Sequence, residues 1–231
     1  MGSLAVLAGI VTWWVGPNLV NLAVVDAQRD QPFTLFDFVR GPPAEVFAAR
    51  YQRPMVGLMA SEGGALVDDY RLEHLITGKR RDDWPYLTRL HMPRAADLVR
   101  VLTSSPYHVM VDLAPEFATL QVGSYAVPHP DWRPALVVWL VRNAQRNAGT
   151  DPLDPVLDIL SRGDGRLVWD TRVTIMSNDE HWQRIAVLDF PSVSAAMGWL
   201  RHSEVKTARA IANSRSSDLS LAVYRREQGF D

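Results

Sequence analysis

The sequence predicts an α+β fold: two tandem units, each with the element order βαββαβ, preceded by an apolar segment long enough to form a transmembrane helix. Three observations carry this. Residues 32–127 lie over residues 134–225 with ordered matches about 100 residues apart, a period read as an internal repeat. Each stretch holds four short apolar runs and two helical patterns in one order. Met1 to Val25 carries no charged side chain, and charge begins at Asp26.

The repeat is an ordered series. Trp84 matches Trp182, Pro93 matches Pro191, and between them Leu87 meets Ile185, Leu90 meets Leu188 and Met92 meets Phe190. Upstream, Leu66-Val67-x-Asp69-x-Arg71 lies over Leu167-Val168-x-Asp170-x-Arg172, Pro54 falls on Pro155 and Gly64 on Gly165. The offset drifts by a few residues, which places indels in loops.

Each element has a local cause. Phe33–Arg40 and Ala135–Arg142 are short apolar runs and read as first strands. Ala44–Ala60 and Asp154–Ser161 read as helices, stopped by Gly63-Gly64 and by Gly163 and Gly165. Ala65–Ile76 and Arg166–Met176 are second strands. Trp84–Met92 and Trp182–Phe190 are third strands, each ended by proline. Ala95–Leu102 and Val193–Ile211 are second helices, and Thr119–Val127 and Leu219–Arg225 are fourth strands. This order is the split βαβ, or ferredoxin-like, unit. One face of its sheet lies under helices and the other is bare, so the second unit is its natural cover. The chain divides into an anchor at 1–26, a first module at 32–127, a proline-rich linker at 128–134 and a second module at 135–226.

At about 1.5 Å per residue, the apolar start spans a hydrocarbon core of roughly 30 Å. Trp13 and Trp14 suit a membrane interface or a partner helix, Pro17 introduces a kink, and Asn18 and Asn21 favour protein over lipid. No Lys or Arg precedes the segment, while Arg29 and Arg40 follow it, which orients the bulk of the chain to the cytoplasm. A cleaved signal and a soluble hairpin are the competing readings.

Composition narrows the chemistry. The net charge of −2 excludes a polycationic nucleic-acid binder. The absence of cysteine excludes disulfides, cysteine-ligated metals and thiol nucleophiles. The six histidines show no metal-ligand spacing, and no phosphate-loop or serine-elbow motif is present, so neither metal nor cofactor is expected. Strict strand alternation puts Asp69, Arg71, Asp170 and Arg172 on the bare face, towards the space between the sheets, as two Asp–Arg pairs that either dock the units or line a cavity. Arg89 and His91 alternate onto the same side of the third strand, with Asp189 standing where His91 does in the repeat. They are the candidate catalytic residues, with His91 as base.

The second unit resembles a known family. The series Ile185-Ala-Val-Leu-Asp-Phe-Pro-Ser-Val-Ser-Ala-Ala-Met-Gly-Trp199-Leu, then His202-Ser-Glu-Val and Ser217-Asp-Leu-Ser-Leu221, is similar to the bacterial family called domain of unknown function 1330. Valine at 205 stands where that family usually has tyrosine, and Tyr107 holds a nearby place in the first unit. The resemblance implies a dimeric α/β-barrel, here built within one chain and with little need to homodimerise. By the same resemblance, superfamily relatives include cofactor-free monooxygenases, haem-degrading enzymes and muconolactone isomerases.

Two functions follow as expectations. The first is a non-catalytic accessory subunit of a larger membrane protein complex in the bacterial inner membrane, in contact with the lipid bilayer through its single-pass anchor. The alternative is a membrane-tethered barrel enzyme acting on a small apolar or aromatic molecule, with its pocket between the sheets.

Overall fold

The computed structural model describes residues 28–79, 83–125, 131–143, 152–154, 157–160, 164–172, 174–175 and 182–227. The first strand, β1 (Phe33–Arg40), leads into α1 (Ala44–Phe47), a π-helical turn (Ala48–Gln52) and α2 (Arg53–Ser61). Then come β2 (Ala65–Thr77), β3 (Tyr86–Met92), α3 (Ala95–Leu102), α4 (Ser105–Asp112) and β4 (Ala118–Ser124). The C-terminal half contributes β5 (Ala135–Asn143), α5 (Leu157–Leu160), β6 (Arg166–Arg172), β7 (Thr174–Ile175), β8 (Arg184–Phe190), α6 (Val193–Leu200), α7 (Ser203–Arg215) and β9 (Ser216–Arg226).

The strands form one antiparallel sheet in the order β6-β8-β5-β9-β2-β3-β1-β4-β7. Each half therefore has its fourth, first, third and second strands side by side, the ferredoxin-like order. The halves are joined by their second strands. β2 pairs with β3 over Ala65–Arg71, then runs on to pair with β9 over Tyr70–Thr77. At the other seam β7 pairs with β4 through Ile175 opposite Val122 and Thr174 opposite Gly123. A single residue separates β6 from β7, and consecutive Cα atoms are only about 3.8 Å apart, so the two ends of the sheet are neighbours and the sheet closes. Closure removes free edges.

Three packed layers result. Inside the barrel, residues of both halves meet: Phe36, Phe38, Tyr70, Trp84, Trp132, Trp169, Trp182 and Tyr224 with Leu87, Leu136, Val187 and others. Phe36 stacks on Trp132 at 5.6 Å and on Trp169 at 4.7 Å, which ties the first strand to both the inter-unit segment and β6. One outer layer packs β1 and β3 under α1 to α4, and the other packs β5, β8 and β9 under α5 to α7.

Several boundaries differ from the sequence expectation. The first helix is interrupted at Ala48–Gln52 because Pro54 lacks an N–H and crowds the carbonyl four residues back, at Arg50. The last helical pattern breaks at Arg201 and His202 into α6 and α7, with Ser192 capping α6 by accepting from Ala195 N at 3.1 Å. Helix α4 is additional, capped by Ser104 and opened by Pro106. Trp84 and Trp182 precede their strands rather than open them, and both are buried in the barrel.

No helix among the described residues is long and apolar enough to cross a membrane. The expected anchor, with Trp13, Trp14, Pro17, Asn18 and Asn21, lies outside the described residues, as does the linker up to Pro130.

Since Phe36 joins both halves, Phe36→Ala is expected to lower the unfolding free energy by about 3–5 kcal/mol. Urea denaturation checks this, and the transition should stay single because one barrel core serves both halves.

Candidate active site

The expected intersheet site is occupied by packing and ion pairs. Arg89 does enter the barrel: it stacks over Trp132 at 4.0 Å and pairs with Asp68. Arg226 completes this cluster, forming an ion pair with Asp68 Oδ1 at 2.9 Å and donating to the Tyr70 hydroxyl at 3.2 Å and to the Trp132 carbonyl at 2.6 Å. Asp189 is fully buried on the same side and is held by Arg166 at 2.6 Å and by the backbone N–H of Arg133 at 2.8 Å. His91 lies half-buried opposite Thr34. Among the described residues, aromatic rings pack beside these ion pairs.

Asp69, Arg71, Asp170 and Arg172 fall on the other face. A β-bulge lies between Leu66 and Asp68, and a second between Leu167 and Trp169. Each inserts one residue and reverses the alternation beyond it. Asp68 and Trp169 turn into the barrel, while Asp69 and Asp170 turn to the helix side. Arg71 accordingly lies over Tyr86 at 5.3 Å and forms an ion pair with Glu227 at 2.7 Å, and Asp170 is bridged twice by Arg184 at 2.7 Å. Arg172 is exposed opposite Arg184.

The unusual chemistry sits under the helices of the N-terminal half. On adjacent strands, Asp37 of β1 is in register with Gln121 of β4 on one side and Thr88 of β3 on the other, and Thr88 is in register with Asp69 of β2. Asp37 is 1 % exposed and Gln121 0 %. This polar row faces the covering elements. The π turn is wider than an α turn and presents two consecutive residues, Tyr51 and Gln52, to the sheet, both buried. Tyr51 donates its hydroxyl to Asp37 Oδ2 at 3.0 Å, and Tyr107 of α4 reaches Gln121 Oε1 at 3.5 Å. Gln52 and Thr88 lie beside Asp69 and favour its charged form. Phe47, Tyr51 and Phe117 pack as a ring cluster above the row, with Tyr51 and Phe117 centroids 5.6 Å apart.

Burial dominates the electrostatics. It pushes the Asp37 carboxyl up to about 7, against the smaller opposing pull of the Tyr51 and Gln121 hydrogen bonds. Tyr51 is raised by burial and by the Asp37 charge beside it, and Tyr107 is raised by burial, so both phenols stay protonated donors at neutral pH. Asp69 is also raised by burial. The row therefore couples one carboxyl poised near neutrality to two fixed hydroxyl donors. Among the described residues, no group of three or more His, Asp or Glu side chains is placed to hold a metal ion.

The C-terminal half supplies an internal control. The strand registers put Trp139 where Asp37 is, Ala186 where Thr88 is and Leu221 where Gln121 is. All three are buried and apolar. This architecture fills the same location with hydrocarbon, so the polar row is not needed to build the fold. The sequence carried a signal for it: Asp37 is a lone charge within the apolar run Phe33–Val39, in phase with Leu35 and Val39.

No family model matches this chain, and no curated protein matches it. Solved structures do. An anthrone oxidase-like protein superposes with a TM-score of 0.55 at 11 % identity, over 87 % of this chain and 93 % of that one. A mutant chlorite dismutase from Candidatus Nitrospira defluvii gives a TM-score of 0.47 at 12 % identity, over 84 % and 90 %. A protein of unknown function from Rhodopseudomonas palustris gives 0.35 at 18 % identity, over 43 % of this chain and 87 % of its own. The fold is that of the dimeric α/β-barrel.

Asp37 links stability to pH. The folded chain keeps this proton up to about pH 7, whereas the unfolded chain releases it near 3.8. Between those values the unfolded state binds fewer protons, so this group's contribution to stability falls as pH rises and levels off above 7. Asparagine at 37 titrates in neither state. The stability of wild type minus that of Asp37→Asn, measured by denaturation across that range, is expected to drop by a few kcal/mol.

Proposed function

We propose that the chain is a cofactor-free α/β-barrel enzyme of the monooxygenase or isomerase type, acting on a small apolar or aromatic carbon acid. The observation that carries this reading is the buried Asp37 carboxyl with its pKa near 7 beside the Tyr51 hydroxyl. A base works best when its pKa lies near the operating pH, and strongly perturbed carboxyls gather where proton transfer is done. In the proposed step, the Asp37 carboxylate takes a proton from a carbon next to a carbonyl, or from the hydroxyl of a phenol. The oxyanion that forms then accepts hydrogen bonds from Tyr51 and Tyr107, which are already protonated and turn to it from Asp37 and Gln121. Returning the proton to another carbon gives an isomer. Attack of the carbanion on dioxygen gives an oxygenated product. The anthrone oxidase-like neighbour supports this class of reading over a non-catalytic accessory subunit.

The substrate is taken to be neutral and apolar because phenylalanine and tyrosine rings, rather than arginines, surround the row. Asp37 is covered, so admission requires a helix to move. Helix α4 is the candidate: it spans two turns, carries Tyr107 on its inner side and exposes Val109 and Val111, with Leu113 just beyond. The reading also takes the two halves as copies of one ancestral unit, kin to the family that residues 134–226 resemble, with the second copy retained as structural cover. Its support is the matching strand order and the bulge at the same place in both second strands.

A panel of enolisable aromatic ketones and phenols, followed by absorbance and oxygen uptake, tests the reading. Asp37→Asn should lower kcat/KM at least a hundredfold and Tyr51→Phe about tenfold to a hundredfold. The wild-type rate should rise through about pH 7 and then level off, since the carboxylate is the active form. Turnover that survives Asp37→Asn with its pH profile unchanged would overturn the assignment.

A further inference from the structure

A groove at the seam between the two halves is independent of the Asp37 row. It has a volume of about 230 Å³ and runs between the end of β2 and α7, lined by Ile76, Thr77, Lys206, Arg209, Ala210 and Asn213. It exists because β2 leaves its own half: Leu75 is in register with Ala222 and Thr77 with Leu221, both on β9, which α7 covers. Among the described residues, the lining holds two cations and no carboxylate. Neither Lys206 nor Arg209 has an ion pair among the described residues, while the adjacent cations are neutralised: Lys79 and Arg142 both reach Asp218, at 2.7 and 3.6 Å. Lys206 and Arg209 stand three residues apart on one helix, where like charges repel. An anion seated between them removes that repulsion.

The rest of the lining suits an oxyanion. Thr77 and Asn213 bring a hydroxyl and an amide as further donors, and Arg209 presents the planar fork that matches phosphate oxygens. Ile76 and Ala210 make an apolar floor. The volume is below the roughly 300–1,000 Å³ of drug-sized pockets, so the bound group is compact. We propose that this groove binds a phosphate group, carried either by a small soluble molecule or by an anionic lipid headgroup.

The test uses the full chain. Inorganic phosphate is titrated calorimetrically against sodium chloride of equal ionic strength, for wild type and for Lys206→Ala/Arg209→Ala. Saturable binding that weakens at least tenfold in the double variant supports the site. Co-sedimentation with phosphatidylglycerol and phosphatidylcholine vesicles then separates the sources. The apolar first 25 residues are common to all proteins compared, so only the difference between wild type and variant is read. A tenfold loss on phosphatidylglycerol alone assigns the phosphate to a lipid headgroup, and equal partitioning of both proteins assigns it to a soluble compound. Lys206→Glu is the second variant: it changes one exposed residue, leaves the fold intact and should abolish phosphate binding. Binding no stronger than chloride, or binding unchanged in these variants, overturns the proposal.

Discussion

The structure depends on the exchange of second strands between its halves. β2 leaves its own unit to pair with β9, and β7 leaves its unit to pair with β4. These seams bury the bare face of each sheet against the other, which neither half could do alone. Into the enclosed space project stacked rings from both halves, with Phe36 stacked on Trp132 and on Trp169. The few charges inside are matched locally, Arg89 and Arg226 on Asp68, and Arg166 on Asp189. Such pairs gain little over apolar packing but fix which surfaces meet.

Outside the barrel, a polar row lies in the layer between sheet and helices of the N-terminal half. In that layer the two halves part company. One holds aspartate, threonine and glutamine across three strands, and the other holds tryptophan, alanine and leucine at the same registers. Burying a carboxyl is costly, and hydrocarbon fills that position well in the same molecule. The cost is borne here beside two phenols, and the proposed proton transfer rests on that arrangement. The π turn before Pro54 belongs to this arrangement, since it brings Tyr51 onto Asp37 and Gln52 towards Asp69.

Much of the architecture was legible in the residues. The paired tryptophans, prolines and Leu-Val-x-Asp-x-Arg segments revealed two units of like order, and the apolar runs marked nearly every strand. The site was less legible, for identifiable reasons. A β-bulge changes no residue type, so strict alternation assigned Asp69, Arg71, Asp170 and Arg172 to the barrel when the inserted Val67 and Val168 turn them outward. Arg89 and Asp189 were placed on the correct side because β3 and β8 contain no bulge. Asp37 was visible as a charge within an apolar strand, but its partners Tyr51, Tyr107 and Gln121 come from three separate elements. Only the fold brings them together.

The central claim is that the N-terminal half holds a carboxyl poised to exchange a proton near neutral pH. Carboxyl-carbon NMR titration of Asp37 in the intact protein measures this directly. The account predicts a midpoint at about pH 7, moved higher in Tyr51→Phe because the lost hydrogen bond had favoured the ionised form. A midpoint near 3.8, unmoved by that substitution, would mean that water reaches Asp37 and that the row is not a catalytic base.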